Sequence, residues 1–77
     1  MTPEKLAYMA NQIGQFFASQ PGGKAVAEIE DHILKFWDPR MRATLLTNLD
    51  QVQLDPPVRA ALEQLRRRAS GEGSAIG

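Results

Sequence analysis

Cysteine is absent from this 77-residue sequence, so the chain cannot form disulfides, thiolate metal sites or a cysteine nucleophile. Histidine occurs once, at His32, which rules out a histidine-rich metal site. An excess of charge of one sign is also missing, because nine Lys and Arg residues balance nine Asp and Glu residues. Zero formal net charge disfavours a dedicated nucleic-acid-binding protein, whose affinity depends on neutralising phosphates.

Long hydrophobic runs are lacking too, since none approaches the roughly 18 residues needed to span a bilayer. Residues 1–5 do not have the basic-then-apolar order of a secretion signal. We therefore expect no membrane segment and a cytoplasmic location. The apolar fraction of 43% is ordinary for a globular protein, and the length corresponds to a single domain.

Three helix-start signals divide the chain. In each of them a residue that can cap a helix precedes a proline, which is tolerated at the first helical position because its missing N–H has no partner there. These signals are Thr2-Pro3, Asp38-Pro39 and Asp55-Pro56. Residues 19–23 contain a proline and two glycines and predict the turn that ends the first helix, so that a second helix starts near residues 23–24.

Apolar residues at helical spacing predict the buried face of each helix. The predicted core positions are Leu6, Met9, Ala10, Ile13, Phe16 and Phe17 on the first helix, Val26, Ile29, Ile33, Phe36 and Trp37 on the second, Met41, Leu45, Leu46 and Leu49 on the third, and Val58, Ala61, Leu62, Leu65 and Ala69 on the fourth. The solvent side of the second helix is assigned to Glu28, Glu30, Asp31 and Lys35.

The rest of the chain completes the fold prediction. Residues 48–54 are expected to form a loop, and the arginines at 66–68 to complement the dipole at the end of the fourth helix. No stretch alternates apolar and polar residues for long enough to predict a strand. We expect an all-α protein, a small compact bundle of three to four short helices over residues 1–69. A disordered Gly/Ser-rich tail is expected at 70–77.

Few residues offer catalytic chemistry. The three serines fall in a turn and in the tail, and a Ser-His-Asp assembly would have to recruit His32 from a helix. Residues 22–24 resemble the end of a phosphate-binding loop, but Ala25 stands where Ser or Thr would bind magnesium. An anion at this helix N-terminus stays open on dipole grounds. We predict no catalytic, cofactor-binding or metal-binding site in this chain, and therefore no enzyme activity of its own.

Residues 32–42 form the densest segment, in which two large aromatic residues, a lysine and two arginines surround a helix–helix corner. Aromatic residues and arginine are enriched at protein–protein hot spots. We expect Phe36 to close the core, while core and interface positions are equally open for Trp37. Arg40 and Arg42 project about 200° apart on a helix, so at most one of them meets the same surface as Trp37. The predicted partner-binding residues are His32, Phe36, Trp37, Asp38, Pro39, Arg40, Met41 and Arg42.

Two motifs resemble a known family. The more specific one is Phe-Trp-Asp-Pro-Arg-Met-Arg at residues 36–42, and the second is Met-Ala-Asn-Gln-Ile at residues 9–13. Both resemble the delta subunit of soluble, NAD-dependent, molybdenum-containing formate dehydrogenases, at consistent spacing. The resemblance extends from about Leu6 to about Leu65, which is most of the chain.

The resemblance implies an accessory subunit that supports assembly or stability of the molybdopterin-containing catalytic (alpha) subunit. Partner subunits would carry molybdopterin, iron–sulfur clusters, FMN and NAD, and this chain none of them. Its partner would be the alpha subunit, with no membrane and no nucleic acid, and it could self-associate when isolated because small cores need support. The alternatives are a transient molybdenum-cofactor assembly chaperone, using Arg40, Arg42 or residues 22–24 for phosphates, and a small helical nucleic-acid-binding regulator.

Overall fold

A computed structural model of the chain describes residues 1–69. Its four α-helices are α1 (Pro3–Ala18), α2 (Ala25–Phe36), α3 (Pro39–Leu46) and α4 (Pro56–Arg67). No strand occurs among residues 1–69, which confirms the prediction of a small all-α bundle. The predicted tail at residues 70–77 lies outside the described residues.

Two of the three helix-start signals form the capping hydrogen bond that their side chains predict. The Thr2 hydroxyl accepts a hydrogen bond from the Lys5 backbone N–H at 3.1 Å, and Asp38 Oδ1 accepts one from the Met41 N–H at 2.9 Å. Both bonds satisfy donors that a helix leaves unpaired in its first turn. Asp55 holds the same position before α4, but its side chain makes no capping bond. The sequence therefore predicts all three helix starts, and is wrong about the third cap.

The turn between α1 and α2 depends on backbone conformation. Gly22 and Gly23 have φ angles of +115° and +67°, which are the left-handed values that L side chains rarely adopt. A Cβ atom at either position would have open space around it, so it is the backbone angle that requires glycine. This arrangement confirms the predicted end of α1 and reverses the chain so that α2 packs back on α1.

The core is formed chiefly by α2 packed against α4, with α1 covering α2 and α3 closing one side. Its buried residues follow most of the predicted stripes. They are Leu6, Ala7, Ala10, Ile29, Ile33, Trp37, Leu45, Leu46, Leu49, Val52, Val58, Ala61, Leu62 and Leu65. Met9, Ile13, Phe17, Val26 and Met41 pack against this core while half-buried.

Helices α1 and α4 approach each other at Gly14. A Cβ atom built on Gly14 would lie 2.3 Å from Cγ2 of Val58, well inside van der Waals contact. Val58 is fully buried, and its β-branched side chain has little rotamer freedom in a helix. Glycine at position 14 is therefore what lets the two helices meet at this distance.

The predicted loop at residues 48–54 is more ordered than expected. It contains a 3-10 turn at Leu49–Gln51, and it contributes Leu49 and Val52 to the core. Leu49 was assigned to the third helix, but α3 ends at Leu46. The burial of two apolar side chains explains why this connection forms a defined turn.

Two polar side chains, those of Arg59 and Asn11, hold the backbone of this connection. Arg59 donates from Nη1 to the Leu49 carbonyl and from Nη2 to the Val52 carbonyl, both at 3.2 Å. Asn11 on α1 donates from Nδ2 to the Gln53 carbonyl at 3.1 Å, and its Oδ1 accepts from the backbone N–H of residue 55 at 2.9 Å. The connection is thus fastened to both α1 and α4, and its backbone polar groups are satisfied without regular structure.

Glu30 is buried, which corrects its assignment to the solvent side of α2. Its side chain is 8% exposed, and its Oε2 lies 3.0 Å from Nε of Arg68 at the end of α4. Oε2 accepts no hydrogen bond from the described residues, so the charge of Arg68 compensates its burial. The predicted arginine cluster thus contributes one member to an ion pair between α2 and α4, while Arg66 and Arg67 lie in the last turn as expected.

Candidate functional site

Trp37 lies in the core. Its side chain is 5% exposed, and its backbone leaves the helix in an extended conformation, with φ −89° and ψ 139°. Ile29, Ile33 and Trp37 follow each other at intervals of four residues, which is the spacing of one continuous ridge on a helix. The sequence leaves a core position and an interface position open for Trp37, and in the structure its side chain takes the core position.

Phe36 is 72% exposed, so the expectation that it closes the core is wrong. Consecutive residues on a helix project about 100° apart, and only one of Phe36 and Trp37 can continue the buried ridge. Trp37 takes that place and Phe36 is left on the outer surface. The sequence pattern could not separate these adjacent aromatic residues, because each fits a stripe at steps of three and four.

The exposed ring of Phe36 belongs to a row of four rings, which we call the aromatic ladder. Its members are Phe16, Phe17, His32 and Phe36. Successive ring centroids are 5.1, 6.1 and 4.7 Å apart, within the range of favourable aromatic contacts. The ladder crosses from α1 to α2, and Phe16 at its far end is 61% exposed. The core prediction for Phe16 is therefore wrong as well.

A shallow groove of about 530 Å³ adjoins the ladder and shares His32 and Phe36 with it. It is lined by Met9, Gln12, Ile13, His32, Phe36, Trp37 and Met41, which come from α1, α2 and the corner into α3. None of these residues is Asp, Glu, Lys or Arg. The groove and the ladder together, here named the apolar strip, place two of the chain's most exposed aromatic side chains on one continuous surface.

The two arginines of the predicted site have different surroundings. Arg42 donates from Nη1 to the Trp37 carbonyl at 2.7 Å and to the Leu34 carbonyl at 3.2 Å. These carbonyls lie at the C-terminal end of α2, where a helix leaves acceptors without internal partners. Arg42 therefore fastens the corner between α2 and α3. Arg40 is exposed, and its guanidinium makes no hydrogen bond or ion pair with the described residues.

The remaining predicted residues divide between corner and groove. Asp38 caps α3, and Pro39 occupies its first position on the exposed surface. Met41 is half-buried and lines the groove, as does His32. The structure thus brings His32, Phe36, Trp37 and Met41 to one place, and assigns Asp38 and Arg42 to holding the corner.

Sequence reasoning missed the contribution of α1 to this surface. Phe16 and the groove residues Met9, Gln12 and Ile13 come from α1, 15 or more residues before the predicted segment. A signal was present in the pair Phe16-Phe17, because two adjacent bulky side chains cannot both face the same core.

Few features within residues 1–69 bear on the predictions about catalysis and membranes. The Ser19 hydroxyl donates to the Phe16 carbonyl at 2.8 Å, and Lys24 begins α2 without a side-chain capping bond. Within residues 1–69 no three His, Asp or Glu side chains are grouped so that they could hold a metal ion. None of the helices in this part of the chain has the length and apolar character needed to cross a bilayer.

Comparison with known proteins gives one match. Residues 5–62 match the family model of the NADH-dependent formate dehydrogenase delta subunit FdsD. No curated protein and no solved structure is significantly similar to the chain. The matched span includes most of α1, all of α2 and α3, and about half of α4. It therefore contains the whole apolar strip and the corner at residues 37–42. Since the match covers most of the sequence, the chain belongs to the delta-subunit family of NADH-dependent formate dehydrogenases.

Proposed function

We propose that this chain is a non-catalytic accessory subunit that supports assembly or stability of the molybdopterin-containing catalytic subunit of a cytoplasmic formate dehydrogenase. It docks on that subunit through the apolar strip. Membership of the delta-subunit family supports association with other subunits of the complex. The exposure of Phe16 and Phe36 on one surface is the observation that supports the docking face.

The isolated chain leaves two large apolar rings in water. Phe36 and Phe16 are 72% and 61% exposed, although a phenylalanine gains roughly 1.5–3 kcal/mol when it is fully buried. Contiguous apolar side chains on a soluble protein mark interaction surfaces more often than isolated ones do. Docking would remove both rings from water, and their place beside the packed groove is typical of interface hot spots.

The family resemblance implies the division of labour in the complex, in which partner subunits carry molybdopterin, iron–sulfur clusters, FMN and NAD. The composition of this chain agrees on one of these cofactors, because iron–sulfur clusters are held by cysteine thiolates and the chain has no cysteine. We assign all four cofactors to the partner subunits. In this proposal the delta subunit contributes a docking surface and a rigid body. Its four packed helices and the hydrogen-bonded connection at residues 48–54 supply both before any partner binds.

The test is to co-express the tagged chain with the catalytic subunit and to measure recovery of that subunit and its molybdenum content. Phe36→Ala and Phe16→Ala are the test variants, and Leu34→Ala is the matched control. Leu34 is an apolar residue on α2 that is 38% exposed, and it belongs to neither the groove nor the ladder. We expect each test variant to cost about 2 kcal/mol of binding, which is about a thirtyfold weaker Kd, and the control to bind normally.

The outcomes separate the candidate roles. Recovery of the chain with the finished, molybdenum-loaded enzyme supports a permanent subunit. Recovery only with the molybdenum-free catalytic subunit supports the transient assembly chaperone instead. Normal binding by both phenylalanine variants would remove the apolar strip from the proposal, and failure of the unaltered chain to bind the catalytic subunit would overturn the proposed function itself. Thermal melting of each variant checks that the fold is intact.

A further inference from the structure

The apolar strip contains no Asp, Glu, Lys or Arg, although these types make up 23% of the chain. Its groove is lined by five apolar side chains and by only two polar ones, Gln12 and His32. Asp31 and Lys35, the exposed charges next to His32 and Phe36 in the sequence, neutralise each other in an ion pair at 3.0 Å. A complementary occupant must therefore present an uncharged, apolar stripe to this surface, because an unpaired charge would lose its water without gaining a partner.

The shape of the strip favours a helix as occupant. Helices α1 and α2 flank it, and methionines at 9 and 41 supply pliable side chains of the kind that line grooves for amphipathic helices. A peptide added as a strand would need an exposed sheet edge, and residues 1–69 contain no strand. A small molecule is usually enclosed over most of its surface, whereas this groove is shallow and continues into the exposed ladder.

We propose that the apolar strip binds a single amphipathic α-helix of the catalytic subunit, whose apolar residues recur at intervals of three, four and seven. This inference rests on the proposed function and specifies the partner element. Gln12 gives one polar feature of the binding site: its Nε2 donates to the Tyr8 hydroxyl at 2.9 Å, and its amide oxygen has no partner among the described residues. The bound helix places a donor side chain opposite that oxygen, at the border of its apolar stripe.

The length of the ladder limits the length of helix it contacts. Phe16 and Phe36 are its ends, separated by three ring-to-ring steps of 5.1, 6.1 and 4.7 Å. A helix rises about 1.5 Å per residue, so the partner residues that meet the two ends lie at most about 11 residues apart, in roughly three turns. Contacts from both ends therefore fall in one short segment of the partner.

Photo-crosslinking in the assembled complex tests this inference. A benzophenone amino acid replaces Phe36 in one variant, Phe16 in a second and Leu34 in a third as the exposed control outside the strip. The complex is purified before irradiation, and the crosslinked peptides are identified by mass spectrometry. We expect positions 36 and 16 to capture one segment of the catalytic subunit, at residues spaced by three, four or seven, with at least tenfold higher yield than position 34.

Each other result overturns the inference. Crosslinks to several separate segments, or to neighbouring residues without helical spacing, would exclude a single helix. Crosslinks between two copies of this chain would make the strip a self-association surface. Yields at positions 36 and 16 no higher than at position 34 would show that the strip stays open in the complex. In all three cases co-purification still supports the accessory role, and the last two results also remove the strip as its docking face. Loss of co-purification by the unaltered chain would refute the accessory role itself.

Discussion

The close approach of α1 and α4 at Gly14 gives the sharpest quantitative test of the fold. We consider Gly14→Ala, which adds one methyl group in the middle of α1. Helix propensity alone predicts stabilisation of about 1 kcal/mol, because alanine loses less backbone entropy than glycine. The structure predicts the opposite sign, since the new methyl would lie 2.3 Å from Val58 Cγ2.

The size of the clash decides which effect wins. Ordinary carbon–carbon contacts lie at about 3.5–4.0 Å, so either the helices or the Val58 side chain must move by more than about 1 Å. Val58 is fully buried and held in its rotamer, and overpacking a close-packed core costs about 1–3 kcal/mol. Taking the upper part of that range and subtracting the propensity gain leaves a net loss of about 2 kcal/mol. For a domain of this size the loss corresponds to a Tm lower by about 8–16 °C.

Thermal unfolding followed by circular dichroism measures this loss, with Gln15→Ala as the control at an exposed neighbouring position of α1. The double variant Gly14→Ala with Val58→Ala removes the obstructing methyl groups, and we expect it to be more stable than the sum of the single effects by about 1–3 kcal/mol. An unchanged or higher Tm for Gly14→Ala alone would mean that α1 and α4 do not meet at this distance, and the helix packing described here would be wrong.

Two further predictions concern paired residues with unequal roles at the helix ends. Arg42→Met should lower the free energy of unfolding by about 2 kcal/mol, because it removes charged donors from two carbonyls at the end of α2. Arg40→Met should change the same free energy by less than about 0.5 kcal/mol. Chemical denaturation checks both, and equal effects would contradict the assignment of Arg42 to the corner. Asp38→Ala should cost about 1 kcal/mol through loss of the cap on α3, whereas Asp55→Ala should cost clearly less, since Asp55 makes no capping bond. Melting temperatures measured side by side test this order, and a larger loss for Asp55→Ala would refute it.

Local chemistry accounts for what the sequence predicted well. A capping side chain before proline sets a helix start wherever it occurs, and two consecutive glycines allow the left-handed turn after α1. These signals involve residues within a few positions of each other, so they do not depend on the rest of the fold. The helix order, three of the four helix starts and the all-α class follow from them.

Long-range packing accounts for what the sequence could not predict. Glu30 lies on the buried side of α2 beside Ile29 and Ile33, and its burial is tolerated because Arg68, 38 positions later, lies within 3.0 Å of it. No local pattern links Glu30 to Arg68. Phe36 is exposed, against expectation, because Trp37 takes the one place that continues the buried ridge of α2. Within the predicted segment the structure separates corner residues from groove residues, and it adds groove residues from α1 that the sequence did not indicate. That this surface binds a partner stays a prediction.

The burial of Trp37 has a spectroscopic consequence. It is the only tryptophan of the chain, it is 5% exposed, and it contributes to the groove wall. An indole in an apolar core emits at shorter wavelength than one in water, so unfolding shifts the emission of this protein to the red. A helix seated in the groove changes the atoms near the indole while the core around it persists, which alters emission intensity at nearly constant wavelength. One native side chain thus distinguishes loss of the fold from occupation of the groove.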